Sequence, residues 1–433
     1  MNQNPNFHTI DGFYYRQLNT YETEISGYDP VTEFGLPDQI CVAIPETVNG
    51  LHVVSLGPDV FHYYDEYPIT RIILPSGLRE IKGNPFFALP SLKEITLPET
   101  NNAFVIHDDG VLFSSDQKHL ICMIPKLRSW YEVPEGTRVI HEHAFDRCNL
   151  ETAFVPDSVT EIRTGAFSGC SLLESIRLPA GLSEISDSVF ANCFRLSRVE
   201  LPPVTRIGEG AFSGCESLQE ISVPSCCEEI GDYAFSGCVN LKGIELWSVR
   251  SIGLNPFLGC RMLSHVSLSP ESSFRLQNHL LIDDENKSIA CLVNREEDPH
   301  EYTVPDGVEA IGAFTFDSPE LLAVHLPSSV RRLECFSFTR AESLKKVTLP
   351  ENLESIEEGV FTGCDELRAL YIPSGVRRIE ADAFPDHESF CLIVHKDSVA
   401  EQYAKKYDIP FRLVQCNPDT QVYPPSEKRR DRE

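Results

Sequence analysis

The chain of 433 residues predicts a solenoid: a β-rich right-handed superhelix with short helical turns and two β-hairpin insertions. Three observations predict it. Phenylalanine returns every 22 or 23 residues at Phe145, Phe167, Phe190, Phe212, Phe235 and Phe257, then at Phe316, Phe338, Phe361 and Phe384. One phrase of apolar residues surrounds each of them. The phrase degrades at both ends of the chain, as terminal units of an array do. A fixed period near two dozen residues is the mark of stacked supersecondary units rather than of a globule, so the function is expected on a surface.

Each unit follows from local chemistry. Leu173-Glu174-Ser175-Ile176-Arg177-Leu178-Pro179 places apolar side chains two apart, the strand period, before a proline that ends the pairing. Every coil thus gives one short strand to a shared sheet. The stretch that follows, Leu182 and Ile185 and then Val189-Phe190-Ala191-Asn192-Cys193, returns along the opposite wall. Gly169, Gly214, Gly237 and Gly259 supply the tight bend before the cysteine. A single coil cannot cover its own faces, so its stability comes from its neighbours.

In chain order, residues 1–68 read as an irregular capping coil built on Gly27-Tyr28, Val42-Ala43-Ile44-Pro45 and Val53-Val54-Ser55-Leu56-Gly57. Within it His62-Tyr63-Tyr64-Asp65-Glu66-Tyr67 is either capping or contact surface. The array runs over 69–390. Two segments interrupt it, 101–129 and 272–301, and they resemble each other: Lys118-x-Leu120-x-Cys122 matches Lys287-x-Ile289-x-Cys291. Each reads as a hairpin about a polar turn, and each rejoins the array through Tyr-x-Val-Pro, at Tyr131 and Tyr302. Such islands are binding lobes or ordinary scaffold loops, and the second reading is favoured. Residues 391–414 form a C-terminal cap: Ser398 and Glu401 make a capping box, and Val399, Tyr403 and Tyr407 share a helical face that lies over the open core. Residues 415–433 lack apolar periodicity and are expected to be disordered.

The unit Leu-x-x-Ile-x-Leu-Pro followed by Ile-Gly-x-x-Ala-Phe-x-x-Cys resembles the BspA-like (treponemal type) leucine-rich repeat, most clearly at Leu218 to Cys238 and Leu241 to Cys260. The resemblance extends from about residue 25 to about residue 414. It implies a leucine-rich repeat solenoid, and it implies bacterial surface or secreted proteins that adhere to host proteins or other cells. Members share a scaffold and differ in what they bind, so the partner is not implied.

Composition narrows the classes. The 65 acidic against 37 basic residues give a formal charge of -28, which disfavours nucleic-acid phosphates and anionic membranes and favours a neutral or basic protein or peptide. No apolar run is long enough to span a bilayer, and Met1-Asn2-Gln3-Asn4-Pro5 lacks the features of a secretory signal. As written, the chain reads as cytoplasmic, or as secreted or surface-bound if a signal has been removed. Cys148, Cys170, Cys193, Cys215, Cys238 and Cys260 hold one place in successive coils and read as a buried ladder of free thiols acting as apolar filler. Vicinal Cys226 and Cys227 are the pair to test for oxidation. His141-Glu142-His143 with Cys148 is the one dense cluster, placed on an outward turn and lacking ligands at metal-site spacing. No phosphate loop, nucleophile elbow or metalloprotease helix occurs, so the chain reads as a non-catalytic monomer without cofactor. The competing class is a carbohydrate-binding or enzymatic protein with a site formed by the two insertions.

The best functional candidate is the outward row of the strands: Trp130, Glu132, Phe154, Arg177, Arg198, Glu200, Glu245, His265, His325 and Tyr371. Most are ordinary solvated sheet residues. Trp130 and Phe154 stand on adjacent coils, and two large aromatics exposed side by side are the signature of an interface anchor. Arg177 and Arg198 follow on the next two coils. The alternative is that Trp130 packs under its own insertion.

Overall fold

The computed structural model describes residues 8–10, 12–29, 40–61, 68–124, 128–293 and 300–414. The His62–Tyr67 cluster and the 415–433 tail lie outside them. The chain winds as a β-solenoid of about 15 turns, and it falls into two compact units, Met1–Pro299 with Gly312–Thr315 and His300–Ile311 with Phe316–Glu433.

In the first unit each coil contributes two strands, where the sequence suggested one. The strands at Trp130–Glu132, Thr152–Phe154, Ser175–Arg177 and Arg198–Val199 pair parallel in that order. A second file, Glu184–Ile185, Arg206–Ile207, Glu229–Ile230 and Ser251–Ile252, pairs parallel along the other wall. Two-residue strands carry too little periodicity to be read from sequence. Their inward residues, Ile176 and Val199 from one file and Ile185 and Ile207 from the other, meet in one buried cluster.

Between the walls runs the aromatic file. Phe145, Phe167, Phe190, Phe212, Phe235 and Phe257 are all buried and stack ring on ring at centroid distances of 4.8, 5.8, 5.3, 5.5 and 5.8 Å. Tyr131 opens the file, tilted against Phe145 at 5.6 Å. Each internal ring therefore buries both faces against its own kind, which is the contact a lone coil lacks.

The expected short helical turns are single hydrogen-bonded turns that do not extend into helices. Ala166 N–H and Cys170 N–H donate three residues back, to Arg163 and Phe167. Gly165, Phe167 and Gly169 donate across to Asp187, Val189 and Ala191 of the next coil. The cause is the left-handed backbone at Gly165 (φ +63) and Gly169 (φ +70), which stops a helix after one turn and aims alternate N–H groups at the neighbour. Asn192 holds the same left-handed position at φ 60, and a Cβ on Gly214 would meet its side-chain oxygen at 2.8 Å.

The cysteine ladder is buried, and its cysteines are thiols rather than disulfides. It is more than filler, because the thiols of Cys170, Cys193, Cys215, Cys238 and Cys260 reach the carbonyls of Phe145, Phe167, Phe190, Phe212 and Phe235 at 3.0–3.2 Å. Each S–H thus tethers one coil to the last. Burial raises the Cys170, Cys215 and Cys238 thiols well above their ordinary range, which keeps them protonated and able to donate.

The coil at the start of this unit is an antiparallel meander, with Phe13–Gln17 against Glu22–Tyr28, and Glu22–Tyr28 then pairs parallel with Leu51–Leu56. The segment after Asn101 holds three antiparallel strands, Phe104–Ile106, Val111–Ser114 and His119–Met123. The last of these joins Val139–Ile140 in parallel. Phe274–Gln277, Leu280–Asp283 and Ser288–Leu292 repeat the antiparallel arrangement.

The second unit repeats the plan. Glu301–Thr303, Ala323–His325 and Lys346–Thr348 pair in parallel, and Phe316, Phe338, Phe361 and Phe384 stack at 5.0, 5.1 and 6.2 Å. The helix Val399–Lys406 closes it: Ser398 Oγ accepts from Glu401 N–H, while the Glu401 carboxylate accepts from Asp397 N–H at 2.6 Å. Tyr403 sets its edge against Phe384 at 5.5 Å. The buried face is Ala400, Tyr403 and Ala404, not the expected Val399, Tyr403 and Tyr407. Tyr407 is the residue at which the helix ends, and it stays exposed. A strand that the sequence did not announce, Phe411–Leu413, follows and pairs with Cys391–Val394.

Candidate interaction face

The parallel register decides what the outward row presents. Within the first unit, Trp130 faces Thr152, Thr152 faces Ser175, and Ser175 faces Arg198. Glu132 faces Phe154, and Phe154 faces Arg177. The two aromatics are therefore diagonal neighbours on adjacent strands rather than side by side. Both are open to solvent, Trp130 at 54% and Phe154 at 53%, so Trp130 is not packed away beneath the preceding segment.

The charges on this face divide. Arg177 is occupied: its guanidinium donates to the Val155 carbonyl at 3.2 Å and to Asp157 at 3.1 Å. Arg198, Glu132 and Glu200 are exposed. Two coils beyond Arg198, Glu245 accepts from the indole of Trp247 at 3.1 Å, and one coil further His265 contacts Ser267 at 3.0 Å. Trp247, 47% exposed, escaped the sequence reading because it stands one residue past the end of its strand. The remaining two candidates belong to the second unit. His325 is exposed between Thr303 and Thr348. Tyr371 is half-buried, and its hydroxyl meets Glu351 at 3.1 Å and His395 at 2.9 Å. Burial first and the Glu351 carboxylate second push that phenol up to about 12. Tyr371 is thus part of an internal network and contributes little free surface.

The histidine cluster is also placed differently from expectation. His141 is buried, not on an outward turn: it follows the strand that pairs with His119–Met123, and its N–H donates to the Leu120 carbonyl at 2.9 Å. Its Nε2 is 3.2 Å from Nδ1 of His119, a partner 22 residues away that sequence spacing could not pair with it. Burial, and then the Arg163 guanidinium, lower the His141 imidazole to about 4. Nearby, the Glu142 carboxylate is 3.5 Å from Arg163, and these groups border a pocket of about 440 Å³. His143 points elsewhere and stacks on Phe87 at 4.5 Å, while Cys148 lies in the core. Among the described residues no group of three or more His, Cys, Asp and Glu side chains is arranged to hold a metal ion.

A model of the BspA type leucine-rich repeat region matches six copies, over residues 52–107, 185–280 and 296–401. The chain belongs to the BspA-type leucine-rich repeat family. That repeat family is commonly used for protein interaction or adhesion and is typically non-enzymatic. No curated protein matches the chain. Among solved structures, this BspA-type chain is similar to a leucine-rich cell surface protein from Faecalibacterium prausnitzii A2-165, with 23% identity, 95% of this chain and 96% of that one covered, and a TM-score of 0.50. A leucine-rich repeat protein from Bacteroides ovatus shows 23% identity over 94% of this chain and 100% of its own, at a TM-score of 0.38. A leucine-rich repeat protein from T. pallidum shows 25% identity over 59% of this chain and 90% of its own, at 0.27. The first of these likenesses, at a TM-score of 0.50, shows the fold alone. Among the described residues no helix is long and apolar enough to cross a membrane.

Proposed function

We propose that the strand face of the first unit docks a neutral or basic protein or peptide without catalysis. One observation carries this: Trp130 and Phe154, 54% and 53% exposed, stand on neighbouring strands of a single parallel sheet. Large aromatics supply most of the energy of interface hot spots, and leaving two of them in water is unfavourable unless something covers them. Arg198 and Glu132 give the aromatic pair a charged rim, and the formal charge of -28 favours a basic partner at long range.

The test is a pull-down with the intact chain as bait, compared with Trp130→Ala/Phe154→Ala, the captured proteins being identified by mass spectrometry. The double variant keeps the thermal transition of the native chain and loses a specific partner. A partner retained equally by both baits removes this face from consideration.

A further inference from the structure

Beside Trp130 the first unit carries a hollow of about 260 Å³, lined by Asp109, Arg128, Trp130, Tyr131, Glu132 and Glu135 among others. Asp109 and Arg128 also line an adjoining recess with Asp108. Three independent features converge on one kind of occupant.

The first is charge. Across the two recesses the lining carries four acidic residues, Asp108, Asp109, Glu132 and Glu135, against one arginine, Arg128. Asp109 Oδ1 accepts from the Val111 N–H at 3.2 Å, an attachment that fixes the carboxylate without neutralising it. The second is the indole of Trp130, more than half exposed at the rim, whose π-face attracts a cation. The third is a missing hydrogen bond. Tyr131 is 3% exposed, and its hydroxyl is buried with no partner although the residue lines the hollow. A buried hydroxyl without a partner is unfavourable by about 1–3 kcal/mol, and it has acceptor capacity for an incoming N–H. Burial first, and the Asp109 carboxylate next, raise its phenol, so it stays protonated. Its electrostatic neighbours are Asp109 and Arg128, the residues common to both recesses.

We propose that this hollow receives a basic side chain, lysine or arginine, of a bound peptide, with its charge between the Trp130 ring and the Asp109, Glu132 and Glu135 carboxylates and one N–H directed at the Tyr131 hydroxyl. This rests on the docking role of the strand face and names the chemistry that the face selects. Arg128 sets the limit: it repels a second cation and restricts the hollow to one.

The chain has two tryptophans, so Trp247→Phe leaves Trp130 as the sole indole reporter. Titration of that full-length variant with acetyl-Gly-Lys-Gly amide, its arginine counterpart and its norleucine counterpart reads occupancy from indole emission. The lysine or arginine peptide saturates the signal, and the norleucine peptide binds at least about tenfold more weakly. Asp109→Asn and Glu135→Gln each weaken the cationic peptide about three- to tenfold, and Tyr131→Phe weakens it without changing the response to salt. Equal binding of norleucine, preference for a glutamate peptide, or no saturation by either cation overturns the proposal. The docking reading fails separately. Loss of partner capture in Phe154→Ala alongside a silent peptide titration removes the hollow and keeps the face, and a saturable titration with capture unchanged does the reverse.

Discussion

The two walls of the first unit are built from the same repeat and differ in how far their arginines are paired. On the second strand file Arg206 reaches three carboxylates, Asp187 at 2.9 Å, Glu229 at 3.1 Å and Glu184 at 3.8 Å. Arg163 is tied in the same manner to Glu161 at 2.6 Å and Glu142 at 3.5 Å. On the first file Arg198 has no ion pair among the described residues, and Trp130 and Phe154 stand in water. A partner approaching Arg206 or Arg163 must displace contacts that already exist, whereas at Arg198, Trp130 and Phe154 on the first wall a new contact displaces no ion pair; Arg177, held by Asp157, is the exception. The second wall thus ties its coils together through Arg163 and Arg206, and the first is the wall on which the proposed docking face lies.

The most disruptive way to break this comparison is to remove what both walls share. Phe212 is fully buried and stacked between Phe190 and Phe235. Phe212→Ala is expected to lower stability by about 3–5 kcal/mol, because the stacked neighbours on both sides resist collapse into the gap. Urea denaturation checks it. A loss under about 1 kcal/mol would mean that the file is not a packed core.

How much of this was legible in the sequence depends on what kind of information each feature needs. The phenylalanine file was legible because one residue type at one period can only stack. The left-handed bends at Gly169, Gly214 and Gly237 were legible for a similar reason, since glycine marks them directly. The second strand file was not, because a strand of two residues such as Arg206–Ile207 leaves no alternation to detect. The site was half legible. Exposure of Trp130 and Phe154 follows from their position beside an inward residue, but the occupation of Arg177 by Asp157 and of Tyr371 by Glu351 and His395 depends on side chains from other coils. The His119 and His141 contact was hidden for the same reason, and so was the buried state of His141.

That contact supplies the next test, on the wall that holds coils together. The imidazole of His141 is lowered to about 4 by burial first and then by Arg163, with His119 acting in the same direction and Glu142 and Glu161 opposing. In the unfolded chain it takes up its proton near 6.5, so between these values the unfolded state binds the extra proton. Stability from this group is complete above roughly pH 6.5 and is lost as pH falls through about 4, by about 3 kcal/mol in all. His141→Gln removes that dependence, and the difference between native and variant urea midpoints is expected to shrink as pH is lowered from 7 to 4. Parallel pH profiles would show that the ring takes up its proton at the same pH in the folded and the unfolded chain.

The smallest effects separate the walls most sharply. Arg206→Gln leaves Glu184, Asp187 and Glu229 on neighbouring coils without their common cation, and its loss is expected to be about 1–2 kcal/mol, since a network of several charges exceeds an isolated surface pair. Arg198→Gln removes a guanidinium with no carboxylate partner, so its change is expected within about 0.5 kcal/mol. Ionic strength discriminates further. At 1 M salt the Debye length falls to about 3 Å, and the cost of Arg206→Gln is expected to shrink while that of Arg198→Gln stays where it was. Thermal melts of both variants at low and high salt read this directly. Equal losses would mean that both walls carry stabilising charge networks, and the strand face would then have no greater claim to a partner than the wall behind it.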